Sequence, residues 1–166
     1  MKLQLPEIKF IFLITSVVVI DQLSKLWIMV KFQPFESMVV VPGFFNLVHV
    51  TNTGAAFGIL AGDHVWWRRL FFIVVSLTAL IVIFVTFRQV KTKGRSYIYA
   101  MGLIAGGAVG NLIDRLRFGA VVDFLDFYVK SYHWPAFNVA DSAISVGVGL
   151  FLLAAMLGKE FSENNK

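Results

Sequence analysis

Four stretches of the chain, about residues 8–30, 70–87, 97–113 and 137–157, stay apolar over close to the ~20 residues a helix needs to cross a bilayer. Inside lipid every backbone N–H and C=O must find a partner within its own segment, so a stretch of this kind spans as a helix. The fold class that follows is an α-helical membrane protein with four transmembrane helices. At 58% hydrophobic and 15% charged, the 166 residues carry more apolar surface than a soluble domain of that size can enclose. Internal repeats, low-complexity tracts and linkers are absent, and residues 1–166 read as a single integral membrane domain. The first stretch follows Lys2 and Lys9, as a signal peptide would. It is nevertheless too long, Asp21 and Lys25 interrupt it, and no small-x-small cleavage site follows, so it is expected to be a retained span.

Charge sets the expected orientation. Arg88, Lys91, Lys93 and Arg95 crowd the link between the second and third spans, and Lys2 and Lys9 precede the first. By the positive-inside rule both places face the cytoplasm, as does the C-terminus after an even number of spans. The two longer connections then face outward, with Trp66-Trp67 and Trp134 as interfacial anchors and Arg68 and Arg69 as a local exception to the rule. The net charge of +5 does not indicate nucleic acid, because the basic residues form no patch interleaved with aromatics.

The first outer connection has strand character over about residues 36–60. Met38-Val39-Val40-Val41 is mostly β-branched, Pro42-Gly43 signals a turn, residues 44–50 form a second strand, and Asn52-Thr53-Gly54 signals another turn. Residues 55–60 are expected to pair back as a third strand. An open sheet edge is not tolerated in hydrocarbon, so this small extracytoplasmic β platform is expected at the membrane surface.

Carboxylates are the anomaly in so apolar a chain. Asp21, Asp114, Asp123 and Asp141 lie in or beside the spans, where an ionised carboxylate costs on the order of 3 kcal/mol. Helical spacing places them. Gly102, Gly106 and Gly110 form a small-residue stripe that invites close helix approach and leads to Asp114, while Gly107 leads to Asn111 and Arg115. Asn138 and Asp141 share a face near the start of the fourth span, and Asp21 and Lys25 share a face of the first. The polar groups therefore gather at one depth, with the turn at Asn52, near the outer leaflet.

Two neighbouring carboxylates in low dielectric share a proton, an arrangement that cleaves amides with water and needs neither metal nor cofactor. Other hydrolytic chemistries lack their residues: Cys is absent, the three His form no HExxH, and no Ser sits in a GxSxG elbow. Asp123 and Asp141 occupy similar settings, Val122-Asp123-Phe124 and Ala140-Asp141-Ser142. On residue type alone Asp126 is an equal candidate for the outer member. Asp21 with Lys25 reads as a structural ion pair, Asp114 with Arg115 as a charge-balanced clamp, and Asn52 with Gly54 equally well as simple turn formers. A proton-coupled transporter is the rival class, but it calls for acids at the midplane and related halves.

Five blocks, in order along the chain, carry a resemblance. They are Asp21-Gln22-Leu23-Ser24-Lys25, Asn52-Thr53-Gly54-Ala55-Ala56-Phe57, Gly110-Asn111-Leu112-Ile113-Asp114-Arg115, Val121-Val122-Asp123-Phe124 and Phe137-Asn138-Val139-Ala140-Asp141-Ser142. With its length and four spans, the chain resembles the bacterial lipoprotein signal peptidases, also called signal peptidase II. The resemblance implies an aspartic endopeptidase of the bacterial inner membrane. Such an enzyme removes the signal peptide from prolipoproteins just before a cysteine that carries diacylglycerol. It implies Asp123 and Asp141 as the catalytic pair, in preference to Asp126. Asn52, Gly54, Asn111, Arg115, Asn138 and Ala140 would line the site or hold substrate backbone, Asp114 would orient Arg115 or its neighbours, and Asp21 and Lys25 would support the site. The expected partners are the lipid-modified precursor and membrane lipids, with the protein a monomer.

Overall fold

The computed structural model describes residues 4–54 and 66–163, with side chains described as far as residue 157. Its elements run α1 (Leu5–Lys31), β1 (Ser37–Val41), β2 (Phe45–Asn52), α2 (Trp66–Val90), α3 (Arg95–Phe118), β3 (Val121–Val129), β4 (Tyr132–His133) and α4 (Val139–Glu163). All four helices are long and apolar enough to cross a membrane. The first three extend beyond both ends of the stretch that hydropathy marked, because helix geometry continues into polar residues where apolar character stops; α4 runs past the expected end at 157 but begins at Val139 instead of 137, because Asn138 caps it. The extension matters most in α3, which runs on to Phe118 and so carries Asp114 and Arg115 as helical residues.

Helix α3 is the hub, packed by α1, α2 and α4. Its most apolar window is 56% buried, against 22% for α1 and 11% for α2 and α4. Lipid is as apolar as a leucine side chain, so helices associate here by close packing. Small residues on α3 permit it. A Cβ on Gly106 would lie 2.7 Å from the Cβ of Val17 on α1, and one on Gly107 would lie 2.3 Å from the Ala140 carbonyl on α4. The buried face of α1 is Phe10, Val17, Asp21, Lys25 and Ile28, a single stripe at helical spacing. That stripe carries Asp21 and Lys25 into the bundle with the apolar residues. At the end far from the sheet, Phe10 stacks on Phe87 with ring centroids 3.9 Å apart, and Lys91 pairs with Glu7.

Helix α3 ends where Gly119 turns left-handed at φ 76°, and its N–H caps the Arg115 carbonyl. The chain then enters β3 directly. The sheet is antiparallel in the order β1-β2-β3-β4. Val122 and Phe124 of β3 pack on Ile28 and Phe32 at the end of α1, which fixes the sheet to the bundle. The first two expected strands are β1 and β2, and the partner of β2 is β3 from the second outer connection. The segment 55–60, expected to pair as a third strand, lies outside the described residues.

Candidate active site

Three layers of polar side chains lie between the ends of α1, α3 and α4 and the strand β3. Deepest is a sealed ionic cluster. The Lys25 ammonium lies 2.8 Å from Asp21 and 2.9 Å from Asp114, all three at most 1% exposed. Asp21 also accepts the Ala140 N–H at 2.9 Å, and Asp114 accepts the Val122 N–H at 3.1 Å. One carboxylate thereby anchors the start of α4 and the other the start of β3. Asp114 takes Lys25 as its ion-pair partner, and not the adjacent Arg115, because successive residues of a helix point about 100° apart.

The middle layer is a pair of amides. Asn111 on α3 receives Lys25 at 3.1 Å through its oxygen and donates to Asp141 at 2.8 Å through its nitrogen. Asn138, fully buried, caps α4: its side-chain oxygen accepts the Asp141 N–H at 3.0 Å, while its own N–H donates to the Asp141 carboxylate at 3.3 Å. This reciprocal bond is a capping box with Asp at the third helical position. The Asn138 amide nitrogen then reaches Asp123 at 2.7 Å. One residue therefore joins the two carboxylates that similar sequence settings had paired, its side-chain nitrogen bonding Asp123 and its backbone N–H bonding Asp141.

Those carboxylates form the outer layer, and both line a cavity of about 590 Å³ together with Asn52, Asn111 and Arg115. Burial, and next the negative charge of Asp141, push Asp123 up to about 7; hydrogen bonds from Asn138 and Asn52 and the charge of Lys25 pull it the other way. Gly54 donates its N–H to the Asn52 side chain at 2.9 Å, an Asx turn, and its carbonyl accepts Arg115 at 3.3 Å. Arg115 also lies over the Phe72 ring, 5.4 Å from its centre, which ties α2 to the site.

Asp126 goes elsewhere. Residues three apart on a strand face opposite ways, and here Asp126 accepts Asn46 at 2.8 Å and pairs with His133 at 2.8 Å. Ala140, fully buried, does not line the cavity; its Cβ fills the gap left by Gly110, so its small size sets how closely α3 and α4 meet. Two features escaped sequence reasoning. Gln22 donates to Asp114 at 2.9 Å and to the Gly110 carbonyl at 3.2 Å. A second polar residue beside Asp21, inside an otherwise apolar span, was the available signal. The other is the wall from Trp134 to Phe137, held in place by backbone bonds from Trp134 to Phe127 and from Phe137 to Leu125 on β3 and carrying no chemical signature.

Comparison with known proteins identifies the family. The family model described as signal peptidase (SPase) II matches residues 13–157. The chain belongs to the signal peptidase II family. It is 45% identical over 152 residues to the lipoprotein signal peptidase of Syntrophus aciditrophicus, covering 90% of this chain and 94% of that one. With the protein of the same name from Syntrophotalea carbinolica it shares 50% identity over 153 residues, covering 92% and 94%. A solved bacterial membrane enzyme, determined by the in meso method at 2.3 Å resolution, superposes with a TM-score of 0.81 at 34% identity, over 95% of this chain and 91% of that one. Family membership makes the protein a bacterial multi-pass membrane peptidase.

Proposed function

We propose that this peptidase removes the signal peptide from diacylglyceryl-modified prolipoproteins by an aspartic mechanism, with Asp123 and Asp141 as the catalytic pair. The observation that carries the reading is that these two carboxylates, linked through Asn138, face one cavity with no lysine or arginine ion pair of their own among the described residues. Two neighbouring acids in a desolvated site, with no ion pair of their own among the described residues, favour a state with one shared proton. Asp141 takes a proton from water, the hydroxide oxygen bonds to the scissile carbonyl carbon, and Asp123 gives its proton to the carbonyl oxygen. On collapse, the C–N bond breaks, the amine leaves with the proton from Asp141, and a hydroxyl of the intermediate returns one to Asp123. The products are a new carboxyl group and a new amine, with both aspartates restored.

In this reading Asn111 and Asn138 aim the carboxylates, while Asn52, Gly54 and Arg115 hold substrate backbone. Asp21, Lys25 and Asp114 fix the helix and strand that carry the pair. With the termini cytoplasmic, the cavity opens at the outer leaflet, where the lipid chains on the substrate cysteine place the bond to be cut. Confinement to that plane raises the effective concentration of substrate at the site.

The test is cleavage of a purified lipid-modified precursor in detergent, with the new N-terminus read by mass spectrometry. The expected cut falls directly before the lipidated cysteine, an unlipidated control is spared, and a chelator has no effect. Equal cleavage of the control, or inactivation reversed by zinc, contradicts the proposal.

A further inference from the structure

The Lys25 ammonium has three N–H groups and three acceptors: Asp21 at 2.8 Å, Asp114 at 2.9 Å and the Asn111 side-chain oxygen at 3.1 Å. Two carboxylates already satisfy its charge, so the third bond has a separate consequence. An asparagine amide can present either end to a neighbour, and its partners decide which. Lysine only donates, so it holds the oxygen of Asn111 and turns the nitrogen toward Asp141, at 2.8 Å. The other donor near that oxygen is the Asn138 nitrogen at 3.2 Å, whose two hydrogens are divided among three acceptors, with Asp123 nearest at 2.7 Å. Lys25 is therefore the undivided hold on the amide. Each oxygen of Asp141 meets a donor, Asn111 on one and the Asn138 N–H on the other.

We propose that Lys25 is a positioning residue that acts through Asn111: it fixes the amide with its N–H toward Asp141 and so keeps Asp141 as the proton acceptor of the pair. This rests on the reading of Asp123 and Asp141 as the reacting carboxylates. The charged groups around Asp141 are Lys25 and Asp21 from α1, Asp114 and Arg115 from α3 and Asp123 from β3. Of these, Lys25 is the one that reaches Asp141 through a single intervening side chain with matched donors and acceptors.

The experiment pairs Lys25→Met with Asp21→Asn. Asp21, Lys25 and Asp114 together hold one net negative charge, and the double variant keeps that charge while removing the donor to Asn111. With the lipid-modified precursor, KM is expected to stay within about twofold, kcat to fall about tenfold at neutral pH, and the acid limb of the kcat profile to move up by about one pH unit. Unchanged kcat and acid limb in folded protein overturn the inference, as does a loss confined to KM. Asn111→Asp covers the case in which the double variant does not fold. It keeps the shape and the bond to Lys25 but turns an acceptor toward Asp141, so the same acid-limb shift is expected, and a parental profile overturns the inference. Asp123→Asn and Asp141→Asn run alongside: if either cleaves normally the reacting pair is misassigned, whereas inactivity of both with a parental Lys25 profile sinks only the role of Lys25.

Discussion

Asp21 and Asp114 share Lys25 within 3 Å and are sealed from solvent, whereas Asp123 and Asp141 share only amides and face a cavity. The two clusters are joined through Asn111, yet they are built on opposite principles. In the inner one, a buried charge meets an opposite charge and spare oxygens meet backbone N–H groups, so each carboxylate serves to hold a helix or strand in place. In the outer one, amides orient the acids without cancelling their charge. Desolvation and mutual repulsion then keep a proton within reach near neutral pH, as the rise of Asp123 to about 7 reflects. Counter-charge, more than burial, separates the two acid clusters of this membrane protein.

The contrast between the two clusters is expected to show most strongly in activity. Asp123→Asn or Asp141→Asn alone lowers cleavage of lipid-modified precursor on the order of 10³-fold, while melting in detergent stays within a few degrees of the parent. Next is stability: Lys25→Met alone leaves two buried carboxylates facing each other and costs roughly 3–5 kcal/mol, read as a fall in melting temperature. Gly107→Ala separates α3 from α4 against the Ala140 carbonyl and costs about 1–3 kcal/mol, with a parallel loss of cleavage. A smaller effect depends on pH. Folded Asp123 holds its proton up to about 7, whereas the unfolded chain releases it near 3.8, so stability declines as pH rises across that interval. Asp123→Asn removes the decline, and its melting temperature exceeds the parent's by about 2–5 °C at alkaline pH with no gain in acid. Smallest is Asp126→Asn, whose carboxylate faces His133 across the sheet: cleavage stays within about threefold of the parent.

Much of this was legible in the sequence because lipid leaves few choices. Hydropathy marked four helices, and spacing by threes and fours put Asn111 with Arg115, Asn138 with Asp141 and Asp21 with Lys25 on shared faces. What stayed hidden depended on contacts distant in sequence. Strand β3 pairs with β2 across some 70 residues of chain, and its Val121-Val122-Asp123-Phe124 run was noticed for its acid while its β-branched and aromatic character went unused. The partner of Asp114 was misjudged for a similar reason, since adjacency in sequence suggested Arg115 and the helix turned the side chain toward Lys25. That Asp123 and Asp126 part company could not come from composition; it follows once β3 is a strand, because alternation sends the two to opposite faces.

The most direct measurement is an infrared titration of the carboxyl band in protein labelled at aspartate, in the parent and in the two asparagine variants. One protonated aspartate is expected that titrates near pH 7 in the parent, is missing in Asp123→Asn and shifts to lower pH in Asp141→Asn, where the repelling charge is gone. A parent with no aspartate titrating near neutrality, or a band that persists unchanged in Asp123→Asn, would contradict that expectation.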